Sequence, residues 1–139
     1  MSYRELSAWG SLFITLVIFG NYFFKVGLRD VASAGLLAGT VISLIVVEII
    51  YNALIAAWEK IEPRDERDRL IDLKAANNAS WVSTVGLIVL ISSVLIYRSV
   101  NVSDVLDTTL EWVNAVVFIL IASECARFAS QAIGYRRGA

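Results

Sequence analysis

The sequence predicts an all-α, polytopic membrane protein whose four transmembrane helices form two tandem parallel helical hairpins. Three observations predict it: four long apolar stretches, one long polar stretch dividing them in pairs, and a likeness between the two halves. Of the 139 residues, 58% are hydrophobic, against about 45–50% in an ordinary soluble domain, and the mean hydropathy is +0.68. So short a chain has too few polar residues to cover that much apolar surface in water. A bilayer removes the difficulty, because lipid meets the apolar faces.

The apolar stretches run over about 8–28, 34–57, 79–97 and 112–134. At 1.5 Å per residue each is long enough for a hydrocarbon core of about 30 Å. In lipid, backbone N–H and C=O groups must be satisfied within the segment, so each should be a helix. The first contains Leu12-Phe13-Ile14-Thr15-Leu16-Val17-Ile18-Phe19. Its β-branched residues would lower helix propensity in water, a preference the bilayer overrides. It is expected to be retained rather than cleaved. Residues 1–5 carry no net positive charge, no small-x-small site follows, and Tyr22-Phe23-Phe24 ahead of Lys25 resembles an interfacial anchor. The second stretch holds Gly35 and Gly39, a G-x-x-x-G spacing that permits close helix contact.

Residues 59–78 form the polar stretch, expected as a charged cytoplasmic helix between a first hairpin (1–58) and a second (79–139). Pro63 suits a first helical turn, where its missing N–H is harmless. Arg64 with Asp68, and Asp65 with Arg69, are spaced i,i+4 and should pair. Glu62, Asp65, Glu66, Asp68 and Asp72 are interleaved with arginines and lack the glycine and spacing of a calcium loop. They read as a solvated face that could run directly into the third helix. Between the third and fourth stretches, Asp104 or Asp107 is placed to cap the last helix, with Glu111 favouring its positive end.

Basic residues set the orientation. With four spans, both ends and the 59–78 loop share one side. That side holds Arg4, Lys60, Arg64, Arg67, Arg69, Lys74, Arg136 and Arg137, against Lys25, Arg29 and Arg98 on the other. The expected placement is the inner (plasma) membrane with both ends in the cytoplasm. Trp9, Trp58, Trp81 and Trp112 stand near the expected helix ends, as aromatic belts do. In the two halves, Ser7-Ala8-Trp9-Gly10-Ser11 aligns with Ala79-Ser80-Trp81-Val82-Ser83, and Glu48 with Glu124. The likeness suggests a duplicated hairpin, inserted both times in the same sense.

Composition excludes much. With 12 basic and 13 acidic residues the net charge is −1, so no clustered cationic footprint for nucleic acid is present. There is no histidine, which removes histidine-ligated haem, the commonest zinc sites and Ser-His-Asp or Cys-His chemistry. The lone Cys125 cannot form an internal disulfide and reads as a small core residue. No catalytic residue, metal site or cofactor is expected, and the chain reads as a non-enzyme.

Two acids carry the functional expectation. Glu48 and Glu124 each stand near the middle of an apolar stretch, where an ionisable group costs about 2.5–3.5 kcal/mol on insertion scales. Helical spacing puts Tyr51 and Asn52 beside Glu48, and Arg127 and Gln131 on the face of Glu124. If the second and fourth helices face one another, two carboxylates share one guanidinium, and a proton or cation must neutralise the second acid. The leading expectation is a proton- or cation-linked transporter or channel-like protein, as a homodimer or higher oligomer in the lipid bilayer. The competing reading of the same residues is interhelical glue: polar side chains that hold a bundle together. The alternative function is a membrane adaptor or sensor that docks a cytoplasmic regulator through Arg64, Asp65, Arg67, Asp68 and Arg69.

The segment Pro63-Arg64-Asp65-Glu66-Arg67-Asp68-Arg69-Leu70-Ile71-Asp72-Leu73-Lys74-Ala75 and the ending Gln131-Ala132-Ile133-Gly134-Tyr135-Arg136-Arg137-Gly138 together cover about a quarter of the chain. They resemble motifs of a family of small four-helix bacterial inner-membrane proteins of unknown function. The resemblance implies four helices and no activity.

Overall fold

The computed structural model describes residues 3–26, 33–58, 63, 65–99 and 109–137, the side chains of 97–99 excepted. They form four helices, α1 (Tyr3–Val26), α2 (Ala34–Trp58), α3 (Glu66–Ser99) and α4 (Thr109–Arg137). All four are long and apolar enough, by length and composition, to cross a membrane.

Helix starts follow local chemistry. Ser33 caps α2, its hydroxyl accepting from the Leu36 N–H at 3.3 Å. At α3 the cap is Asp65, whose carboxylate accepts from the Arg67 N–H. Asp68 reaches back to accept from the Asp65 N–H at 3.1 Å, so each acid satisfies an amide at the other's end of the turn. Asp65 is therefore occupied by the helix end and forms no pair with Arg69. Pro63 precedes the helix rather than opening its first turn. Arg64 lies outside the described residues, as do Arg29, Lys60, Glu62, Asp104 and Asp107, and so do the expectations that rested on them. The Arg98 side chain lies outside them too. Glu111 does stand in the first turn of α4.

α3 is continuous through the charged stretch, 34 residues long, or about 51 Å. Its first third is part of the packed fold. Ile71 and Ala75 are buried, Ile71 lies against Gly134 of α4, and Asp68 is paired with Arg4 of α1.

The helices pack in the order α2–α1–α4–α3, with α4 against both α3 and α1, and α1 against α2. The buried residues of α1 are Ala8, Ser11, Thr15, Phe19, Tyr22 and Val26. Their three- and four-residue steps make one seam of a helix-packing repeat. Towards the α1 C-terminus the seam is aromatic. Phe19, Tyr22 and Val26 gather Leu37, Val41 and Leu44 of α2 with Val117 and Ile121 of α4, and Tyr22 donates to Asn114 at 2.9 Å. Towards its N-terminus the seam is small and polar, which leaves room for side chains arriving from α2 and α4. The α3–α4 seam uses Ala75, Ala79 and Gly86, small residues that let two backbones approach. α2 is the least covered helix, with Ile55 its one buried residue.

Candidate functional site

The polar end of the α1 seam is where α2 and α4 bring their acids. Glu48 on α2 accepts a long hydrogen bond of 3.4 Å from the Thr15 hydroxyl. Thr15 is only 1% exposed, so α1 packing fixes this donor. Across α1, Glu124 and Arg127 of α4 form an ion pair at 2.7 Å, one turn apart on the same face. Arg127 also stacks over the Phe128 ring at 4.9 Å, and its buried Nε has no hydrogen-bond partner among the described residues. Both Arg127 and Glu124 act electrostatically on the Glu48 carboxyl. Glu48 is thus within electrostatic range of the Glu124–Arg127 pair but bonds to neither, and α2 and α4 both pack on α1 where the sequence expectation had them face one another.

The other expected members do not join them. Tyr51 donates to the Leu6 carbonyl at 2.8 Å, its ring lying where Gly10 has no Cβ. Asn52 accepts from Ser7 at 2.7 Å and donates to the Glu48 main-chain carbonyl at 2.9 Å. Both residues tie α2 to α1 one turn beyond the carboxylate, rather than solvating it. Gln131 turns towards α3 and donates to Asp72 at 3.0 Å, beside a bond from Asn78 to Ser130 at 2.9 Å. Thr15 is the partner that sequence reasoning missed. Its signal was its place in the Ala8–Ser11–Thr15–Phe19 spacing, the one polar seam position level with Glu48.

Register adds a second finding. Glu48 and Glu124 are near the middle of their own helices, yet α3 is offset against them. The Ser123 hydroxyl donates to the Ala79 carbonyl at 2.8 Å, and Ile119 meets Gly86. Glu124 is therefore level with Ala79–Trp81, where α3 changes from charged and amide residues to apolar ones. The carboxylates lie beside the end of the apolar stretch of α3, not beside its middle.

Of the docking candidates, Asp65, Arg67 and Arg69 are exposed and Asp68 is half-buried in its pair with Arg4. Asp65, Glu66, Arg69, Asp72 and Leu73 line a shallow concavity. The chain matches no family model, no curated protein and no solved structure.

Proposed function

We propose that this is an integral membrane protein that takes up a proton or small cation at Glu48, Glu124 and Arg127, as a transporter or channel-like oligomer. The observation that carries the reading is the charge inventory where α2 and α4 meet α1. Arg127 pairs with Glu124 at 2.7 Å, while Glu48 has one long bond from a neutral hydroxyl. One negative charge is left over, and a proton or monovalent cation would cancel it. A second copy of the chain would enlarge the path that four helices can wall.

Energetics supports a depth for the site. Arg69, Lys74 and their charged neighbours on α3 would each cost about 2.5–3.5 kcal/mol in the hydrocarbon centre. Leaving the last turns of α2 outside exposes four large apolar side chains, Ile49, Ile50, Leu54 and Trp58, at about 1.5–3 kcal/mol each, against six charged residues of α3 from Glu66 to Lys74. The charges outnumber those side chains, so the hydrocarbon edge is best drawn near Trp81. The glutamates then stand at that edge, on the side that the basic-residue count assigns to the cytoplasm of an inner membrane. A group there can exchange ions with water while its helices remain in lipid.

Purified protein in proteoliposomes tests this. Glu48→Gln and Glu124→Gln are each expected to reduce pH-gradient-driven proton or sodium flux at least several-fold, with Gln131→Leu close to wild type. Flux that is absent in wild type, or unchanged from wild type in both glutamine variants, would remove the proposal.

The exposed charged face of α3 favours one alternative, an adaptor that docks a soluble regulator. Reversing Glu66 and Arg69, whose side chains make no hydrogen bond or ion pair to another helix among the described residues, should then abolish capture of one specific cytoplasmic protein by the detergent-solubilised chain. An unchanged capture profile counts against the adaptor.

A further inference from the structure

A groove runs between α1 and α2 at the end of the molecule opposite the carboxylates. Val17, Ile18, Tyr22 and Leu36 form its apolar walls, with Gly39, Thr40 and Ser43 along the α2 side and Asn21 and Lys25 on α1. A Cβ at Gly39 would meet nothing within 4 Å, so the wall there is open rather than filled by a neighbouring side chain.

The polar groups of the groove divide in two. Those of α2 are already satisfied: Thr40 donates to the Leu36 carbonyl at 2.8 Å and Ser43 to the Gly39 carbonyl at 2.7 Å. Tyr22 is turned away to Asn114. Asn21 and Lys25 are exposed and have no hydrogen-bond or ion-pair partner among the described residues. They are spaced i,i+4, so the amide and the ammonium line up along the groove, the amide one turn below the cation.

We infer that this groove is a binding site for one anionic phospholipid. The inference rests on the membrane reading above and not on the carboxylate site. Lys25 stands at the last turn of α1, where a headgroup phosphate would meet it as a charge-assisted pair. Asn21, one turn deeper, is a donor for an ester carbonyl, and the apolar walls continue for an acyl chain. Charge decides between this occupant and a second copy of the chain. Two copies facing each other across the groove would bring two Lys25 ammonium groups together with no acid among the described residues that line it, whereas an anionic lipid brings a complementary charge.

The test uses the whole protein purified in detergent, with its melting temperature followed on adding phosphatidylglycerol, phosphatidylcholine or inorganic phosphate. Phosphatidylglycerol is expected to raise the melting temperature, and the other two to leave it unchanged. Lys25→Ala should weaken the apparent affinity for phosphatidylglycerol about tenfold, the size of a lost charge-assisted bond. Gly39→Leu, which keeps Lys25 and fills open space, should weaken it comparably, and Arg137→Ala should not. Equal stabilisation by both lipids, or a Gly39→Leu response like wild type, would overturn the inference by reducing Lys25 to a non-specific surface charge. So would a disulfide between copies formed at Gly39→Cys in a Cys125→Ser background, since that seats a second chain in the groove. A chain recovered without detergent would overturn the membrane reading as well. A detergent-requiring chain indifferent to phosphatidylglycerol overturns the lipid site alone.

Discussion

Gly86→Leu is expected to separate α3 from α4 and to cost the fold about 3 kcal/mol, the upper part of the usual range for overpacking. A bare Cβ at Gly86 would already stand 2.8 Å from Cγ2 and 3.2 Å from Cγ1 of Ile119. Ile119 is buried and β-branched, so it has few other rotamers to retreat into. The backbones on either side belong to long regular helices that bend little over one turn. The remaining response is to spread the seam, which also pulls Ala79 away from the Ser123 hydroxyl. Adding Ile119→Ala should return most of the stability by making room for the leucine. Gly20→Leu, at a position where nothing lies within 4 Å, should melt near wild type in the same detergent. If Gly86→Leu melts with it, the close α3–α4 approach does not exist.

The four helices were legible because length and apolar composition act locally, and each stretch carries both. The start of α3 was half legible. Its charged residues suggested a helix, but the i,i+4 pairing of Asp65 with Arg69 lost to a backbone demand that sequence spacing does not display. The first turn of a helix leaves N–H groups without partners, and Asp65 with Asp68 supplies them. Glu48, Glu124 and Arg127 stood out because charge in an apolar run is conspicuous. Thr15 did not, since a threonine in a membrane helix is ordinary until a neighbouring helix puts an acid beside it. Tyr51, Asn52 and Gln131 bond to groups other than the carboxylates for a related reason. Helical periodicity tells which residues share a face, but the angular width of that face admits two neighbours. For Gln131 the neighbour is Asp72 of α3. The level of Glu124 along α3 was not legible at all, because it depends on how far α3 slides along α4. Small residues at Ala79, Gly86 and Gly134 set that slide, through the isoleucines and the serine that they admit.

Arg127→Gln is the variant in which the charge inventory should show itself most directly. With the guanidinium gone, Glu124 and Glu48 act on one another electrostatically without a cation beside them. The expected loss is about 1–3 kcal/mol, above the 0–1 typical of an exposed pair and below the 3–5 of a fully buried one. That middle value follows from side chains 41% and 44% exposed in the Arg127–Glu124 pair. Glu124→Gln in the same background should recover most of the loss, because it removes one of the two repelling charges. An isolated ion pair on α4 would behave the same way, so this rescue alone does not distinguish the readings. Glu48→Gln does. Glu48 sits on a different helix and makes no ion pair with Arg127, so it can rescue Arg127→Gln only if the two acids share that single cation. A double-mutant cycle read from melting in detergent should therefore give a coupling of at least about 0.5 kcal/mol between positions 48 and 127. If rescue comes from position 124 and never from 48, the pair on α4 is glue, and Glu48 loses the leftover charge on which the proposed cation site depends.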